Sequence, residues 1–257
     1  MQQDFEFLFV TGCARAGTSV MANLLRTDSR IAMGRERFAE LYLTEKTFPP
    51  ELFEKERFCR ILGPGDSHHR RLEPYYAELH DRYDHCVFRG DKIPEMAGDY
   101  GLLLENFERP RVIFMLRNIF DVADSFNGRA KKARASGRTD GWPWDRGSAA
   151  AVSEWNLALR NTLAIGERVH LHVVVYERLF EDSSEVEALL SFLKLAPQDS
   201  MLSAHRELMA EHRELDASRT NTLTSVEKLD IMRRADFAAY RQMLKLGNRL
   251  RKQSPTG

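Results

Sequence analysis

No stretch of this sequence is apolar for long enough to cross a membrane; nothing approaches the ~18–20 residues that a bilayer-spanning helix needs. Cysteine is scarce. Cys13, Cys59 and Cys86 are odd in number and show neither a CxxC pair nor Cys/His ligand spacing. That excludes a disulfide framework and a structural zinc site, and it fits reduced thiols in a cytosol. Net charge is missing as well: 38 basic and 38 acidic residues cancel, so no overall field draws the chain to nucleic acid or to an anionic membrane. The N-terminus has no basic segment ahead of an apolar one and runs almost at once into strand-like residues. No signal peptide is expected, and the expected location is cytoplasmic. There is no internal repeat.

What is present is an ordinary globular composition. Hydrophobic residues make up 43% and charged residues 30%, and a length of 257 suits one large α/β domain, so 1–257 is read as a single unit. Apolar, β-branched runs at 7–10, 30–33, 86–89, 112–116 and 169–175 read as strands. Helical periodicity fills the gaps, notably at 149–165 and 184–193. From 38 to 84 it is mostly helical, interrupted at Pro49-Pro50 and Gly63-Pro64-Gly65. Strands alternating with helices predict an α/β fold, a three-layer arrangement with a parallel sheet flanked by helices. Residues 129–147, basic and glycine-containing, are expected to form a mobile loop, and 196–257 a helical tail.

The most informative segment is Gly12-Cys13-Ala14-Arg15-Ala16-Gly17-Thr18-Ser19. It follows the first strand and opens a helical pattern at Val20, Met21, Leu24 and Leu25. Strand, glycine loop and helix N-terminus together present backbone N–H groups to an anionic oxygen cluster. The spacing fits the nucleotide P-loop pattern G-x-x-x-x-G-K-[ST], with Thr18 where the lysine stands. That lysine neutralises the β- and γ-phosphates of a triphosphate, so its absence argues against ATP and GTP. Arg15 supplies a cation from within the loop instead.

A second segment, Arg111-Val112-Ile113-Phe114-Met115-Leu116-Arg117, is an apolar strand ending in arginine, and 118–126 continues as helix. Arg117 at a strand's C-terminal end and Ser125 in the following helix are placed to hold a second phosphate, because ligands of open parallel sheets bind there. Two separated anion sites imply a nucleotide charged at two places. The chain resembles the sulfotransferases that use 3′-phosphoadenosine-5′-phosphosulfate (PAPS). Their loop G-x-x-R-[SA]-G-[TS]-[TS] matches residues 12–19. Their 3′-phosphate motif R-N-P-x-D-x-x-x-S matches Arg117, Asn118, Asp121 and Ser125, with Ile119 in place of proline. The resemblance runs from about residue 5 to about residue 177. It implies a P-loop NTPase-like sulfotransferase fold, Arg15, Ala16, Gly17, Thr18 and Ser19 around the 5′-phosphosulfate, and Arg117 with Ser125 on the 3′-phosphate. Tyr176 opens a Y-E-x-L stretch whose aromatic borders the nucleotide in the family. Arg219, in the polar interruption 218–222, stands where the family closes a loop over the adenine and 3′-phosphate.

Sulfuryl transfer needs a base for the acceptor hydroxyl and positive charge for the leaving oxygen. Glu36 lies just past the second strand, 21 residues beyond Arg15, an offset similar to that of family members with a glutamate base. Surface ion pairing with Arg35 and Arg37 is the bland alternative. Lys92, after the third strand and followed by Ile93-Pro94, is read as the leaving-group cation, against a solvated turn lysine. His68-His69-Arg70-Arg71 reads as a solvated turn, and the basic run 129–134 as the solvent side of a helix, with attraction of an anionic acceptor the alternative. Trp142 and Trp144 are evenly balanced between stacking on an acceptor and pinning their loop. The resulting expectation is a metal-free O-sulfotransferase acting by direct in-line transfer on a hydroxyl of a small-molecule, lipid-linked or natural-product acceptor, with catalytic Glu36, Lys92 and Arg15. A homo-oligomer is compatible with it. Two rivals stand beside it. An atypical P-loop kinase needs Mg²⁺ and an acidic residue after an apolar strand, where this chain has Leu116-Arg117. A non-catalytic protein that binds PAP (3′,5′-ADP) or PAPS would not depend on Glu36.

Overall fold

The computed structural model describes residues 5–60, 66, 72–137, 141–217 and 222–253. Five parallel strands form its centre: β1 (Glu6–Gly12), β2 (Ile31–Met33), β3 (Phe88–Gly90), β4 (Arg111–Leu116) and β5 (His170–Val175), in the spatial order β2-β3-β1-β4-β5. Every residue of β4 is buried, and Leu8, Phe9 and Val10 of β1 are wholly inaccessible. Strands covered on both faces read as continuous apolar runs, which is why these two were visible in the sequence. The order places β1 and β4 side by side. β1 connects onward towards β2 and β4 towards β5, in opposite directions, so the topological switch point lies between their C-terminal ends.

Helices cover the sheet. Helix α1 (Thr18–Arg26) buries Met21, Leu24 and Leu25 against β1 and β2. Short helices α2 (Lys55–Cys59), α3 (Glu73–Arg82) and α4 (Gly101–Asn106) lie between β2 and β4. Helix α5 (Ile119–Ser136) starts from Asn118, whose side chain accepts from the Phe120 N–H, and ends at Gly137 with φ 62°. Helix α6 (Ser148–Ala164) buries Ala151, Trp155, Ala158, Leu159 and Thr162, one face at helical spacing. Helices α7 (Ser184–Leu193), α8 (Asp199–Ala217), α9 (Ser225–Arg234) and α10 (Phe237–Gln253) follow β5. Helix α10 packs on β5 and α6, with Tyr240 5.3 Å from Trp155.

Residues 38–84 are helical over most of their described part, as expected, but in short pieces: a π-turn at Leu41–Glu45, a 3-10 turn at Pro50–Phe53 after the break at Pro49-Pro50, α2, α3 and a 3-10 turn at Tyr83–His85, while Gly63-Pro64-Gly65 lies outside the described residues. The apolar residues there do not follow one helical face. Phe48 and Phe53 pack edge-on around Phe9 and Phe107, an aromatic cluster that holds irregular backbone against the sheet. One expectation changes: the segment 129–147 is not all loop, because α5 continues through Ser136. Arg129, Lys131, Lys132, Ala133 and Arg134 are good helix formers with no breaker until Gly137.

Gly90 fixes the approach of β3 to β1. A Cβ there would lie 1.7 Å from the Leu8 carbonyl oxygen, so only glycine lets the strands close. Just beyond it the pairing resumes as a bridge between Val10 and Lys92. Val10 N–H donates to Asp91 O (3.1 Å) and Ile93 N–H to Val10 O (3.0 Å). The sheet edge therefore delivers Lys92 to the same end as the loop after β1.

Candidate active site

The loop after β1 turns tightly: Arg15 has φ 67°, and Ala16 N–H closes onto Cys13 O at 3.0 Å. Gly17, at φ 95°, is the N-cap of α1. A Cβ on it would lie 2.2 Å from a ring carbon of Tyr176, so the ring sits directly on the loop backbone. Ala16 and Thr18 are buried and Ser19 is half-buried. The first N–H groups of α1 lack intrahelical acceptors by construction and, with the helix dipole, form an anion site.

The two sequence motifs meet here. Arg117 Nη1 donates to the Arg15 carbonyl at 2.9 Å, and Arg15 Nε donates to Ser125 Oγ at 3.0 Å. The Arg117 guanidinium lies over the Tyr176 ring, 4.0 Å from its centroid. Trp155 Nε1 donates to the Arg117 carbonyl (3.0 Å), and the Asn118 N–H donates to Glu177 Oε1 (2.9 Å), so α6 and the turn after β5 fix the end of β4. The Arg15 pKa is lowered, first by burial and then by the neighbouring charges of Arg129 and Arg117. Arg15 and Arg117 thus meet where an anion relieves their repulsion.

On the other side of β1, Lys92 is wholly buried and its ammonium contacts the Glu36 carboxylate, whose side chain is 27% exposed. Glu36 has φ 56°, and its N–H donates to Lys92 O at 2.8 Å. Asp91 holds this arrangement: its Oδ1 accepts from Arg37 N–H (3.1 Å) and Lys92 N–H (2.8 Å), its Oδ2 from Phe38 N–H (2.8 Å). Burial raises the Asp91 pKa to about 6 against those donors. Glu36 lines the cleft; Lys92, beneath it, does not.

These groups border one cleft of about 830 Å³, within the ~300–1,000 Å³ of small-molecule sites. Arg15, Gly17, Thr18, Ser19, Glu36, Arg117 and Tyr176 line it, whereas Ser125 reaches it through Arg15. Arg219 and residues 68–71 lie outside the described residues. Trp142 both pins and lines: its indole N–H donates to Arg146 O (3.0 Å), its ring packs edge-on against Phe126 (4.7 Å), and it faces the cleft. Sequence reasoning missed Glu95 and Arg146 as lining residues and gave Arg35 no part in the cleft. It favoured solvent for the face of α5 that carries Arg129 and Lys132. The pKa of Glu95 is raised by burial, with the Glu36 charge adding to the effect. The available signal was spacing: residues 129, 132, 133 and 136 recur at i, i+3, i+4 and i+7 on a helix that starts at the ligand edge. Among the described residues no group of three or more His, Cys, Asp or Glu could hold a metal, and no helix is long and apolar enough to span a membrane.

A parallel sheet with a glycine loop at its switch point and a second cation at the next strand defines a P-loop-like α/β protein. The model of the sulfotransferase family matches residues 8–200, and the chain belongs to that family. A search of curated protein sequences gives no match. Among solved structures, the sulfotransferase domain from the curacin biosynthetic pathway is 18% identical with a TM-score of 0.51, covering 78% of this chain and 77% of that one. The sulfotransferase STF9 from Mycobacterium avium is 13% identical at TM-score 0.48, covering 94% and 75%. A sulfotransferase from Alicyclobacillus acidocaldarius is 17% identical at TM-score 0.46, covering 91% and 98%. At 18% identity the likeness to the curacin-pathway domain is one of fold.

Proposed function

We propose that this sulfotransferase takes its sulfuryl group from PAPS and delivers it to a hydroxyl of a small-molecule, lipid-linked or natural-product acceptor. The observation that carries the reading is the contact of Arg117 with the Arg15 carbonyl, which joins two motifs far apart in sequence into one anion site. The residues fit the donor. The loop N–H groups, Thr18 and Ser19 face one end, and Arg117 and Ser125 stand beside it for the second phosphate. The Tyr176 ring walls the space between Gly17 and Arg117.

PAPS supplies the sulfuryl group, whose bond to the bridging phosphate oxygen breaks as the acceptor oxygen bonds to sulfur. Glu36, in the cleft wall, takes the acceptor proton. Lys92, buried beneath the cleft wall, orients the Glu36 carboxylate and lends its positive charge to the reacting end from there. Arg15 and the α1 N-terminus offset charge on the phosphosulfate.

Isothermal titration with PAP and, separately, with ATP–Mg²⁺ tests the donor. Metal-independent PAP binding that weakens at least about tenfold in Arg117→Ala, with no heat from ATP, is the expected result. Binding of ATP–Mg²⁺ without PAP sinks the reading and returns the loop to phosphoryl transfer. PAP binding with PAPS turnover unaffected by Glu36→Gln removes the base assignment.

A further inference from the structure

The cleft carries more positive charge than the two ends of the nucleotide use. Arg15, Arg35, Arg117, Arg129, Lys132 and Arg146 line it, against the carboxylates of Glu36 and Glu95. The whole chain is neutral by formal charge, so the excess is local. Arg146 is compensated: it makes two 2.7 Å hydrogen bonds to Glu154 and lies 3.9 Å from Glu95. Glu36 is engaged with Lys92. Arg15 and Arg117 serve the donor under the reading above, on which this inference rests.

Arg35, Arg129 and Lys132 remain. Among the described residues, none of these three side chains has a carboxylate or other hydrogen-bonding partner. Arg129 and Lys132 are exposed at the mouth of the cleft, on the face of α5 that also presents Ala133 and Ser136. The same basic run spends Arg134 elsewhere, over the Trp144 ring at 5.4 Å, and Lys131 does not line the cleft. Arg35 stands on the opposite strand's loop, immediately before Glu36. Leu72, Pro94 and Trp142 add apolar wall between. Unpaired cations at the open end of a cleft with apolar walls favour a ligand with an anionic group at one end of an apolar body.

We infer that the acceptor is itself an anion: a hydroxyl compound with a carboxylate, sulfate or phosphate group on an apolar body, the anionic group being held by Arg129 and Lys132 at the mouth with Arg35 beside the base. The cations select the acceptor; the hydroxyl to be sulfated points inward towards Glu36.

The test uses the full chain saturated with PAP, titrated with naphthol and with hydroxynaphthoate, probes that share rings and hydroxyl and differ by a carboxylate. Hydroxynaphthoate is expected to bind about tenfold more tightly, and the preference to fall to about one in Arg129→Ala/Lys132→Ala, as for the loss of two charge-assisted contacts. The PAP affinity of that variant should move by less than about twofold, since neither residue is assigned to the nucleotide here. Both positions are exposed, so the variant keeps its fold, which circular dichroism checks. Equal affinity for the two probes in the unaltered protein overturns the inference, as does a preference that survives the double substitution. A fall of about tenfold in PAP affinity also overturns it, by handing both cations to the nucleotide. Failure of the unaltered protein to bind PAP is read in the first titration. It marks the donor assignment as wrong and takes the inference down with it.

Discussion

The Lys92 ammonium lies fully buried beneath the Glu36 carboxylate and in contact with it, although the two residues come from different strands of the sheet edge. Three backbone N–H groups bound to Asp91 fix both partners. The base and the cation assigned to sulfuryl transfer therefore form one unit, and separating them affects stability and turnover differently.

Glu36→Gln should lower kcat by about 10²–10⁴, the usual worth of a positioned general base, and leave PAP affinity nearly unchanged. It also leaves the buried Lys92 ammonium without its anion, at a cost of roughly 1–3 kcal/mol in urea unfolding. Adding Lys92→Met removes the orphaned charge, so stability should recover while activity does not. Parallel recovery of stability and turnover in the double variant refutes the catalytic assignment and leaves a structural ion pair.

Asp91 makes stability depend on pH in a direction opposite to most carboxylates. Its folded pKa is about 6, above the ordinary 3.8, because burial outweighs its backbone donors. Between those values the folded protein holds a proton that the unfolded chain has lost. The contribution of Asp91 therefore falls as pH rises through the window, and the full cost is present above about pH 6. Relative to Asp91→Asn, the unaltered protein should be favoured most near pH 4, and the gap should shrink by roughly 3 kcal/mol by pH 7. Urea unfolding of both proteins at the two ends of the window measures it. A gap independent of pH means that Asp91 titrates as an ordinary carboxylate.

The parts of this fold legible in the sequence are those where one local pattern decides. Strands β1 and β4 are apolar runs because both faces are covered, and Gly12 and Gly17 of the loop take positive φ values that favour glycine. Asn118 likewise announces the start of α5. What stayed hidden depends on partners from elsewhere in the chain. Nothing around Lys92 in the sequence shows that its side chain is buried, because Glu36 and the Asp91 clamp assemble only when β2, β3 and β1 align. The basic run 129–134 looks the same whether its helix faces solvent or a cleft. Only the packing of α5 against α6 turns Arg129 and Lys132 towards the ligand edge. The irregular 41–59 segment is held by Phe48 and Phe53 meeting Phe9 and Phe107, contacts that leave no periodicity to read.

Gly17 and Tyr176 give the sharpest test of the loop. At φ 95° Gly17 occupies backbone space unfavourable to any L side chain, and an added Cβ would lie 2.2 Å and 2.5 Å from two Tyr176 ring carbons. The ring cannot simply withdraw, because Arg117 covers it at 4.0 Å and Phe180 packs edge-on at 4.9 Å. Gly17→Ala should therefore destabilise the fold by more than about 1 kcal/mol and, by displacing the α1 N-terminus, weaken PAP binding. Tyr176→Ala separates the two causes. In the double variant the clash is gone but the positive φ remains, so stability should return in part while PAP affinity stays low, the ring that walls the nucleotide being lost. Gly17→Ala that unfolds and binds PAP like the unaltered protein contradicts both the strained loop and its role in holding the phosphosulfate.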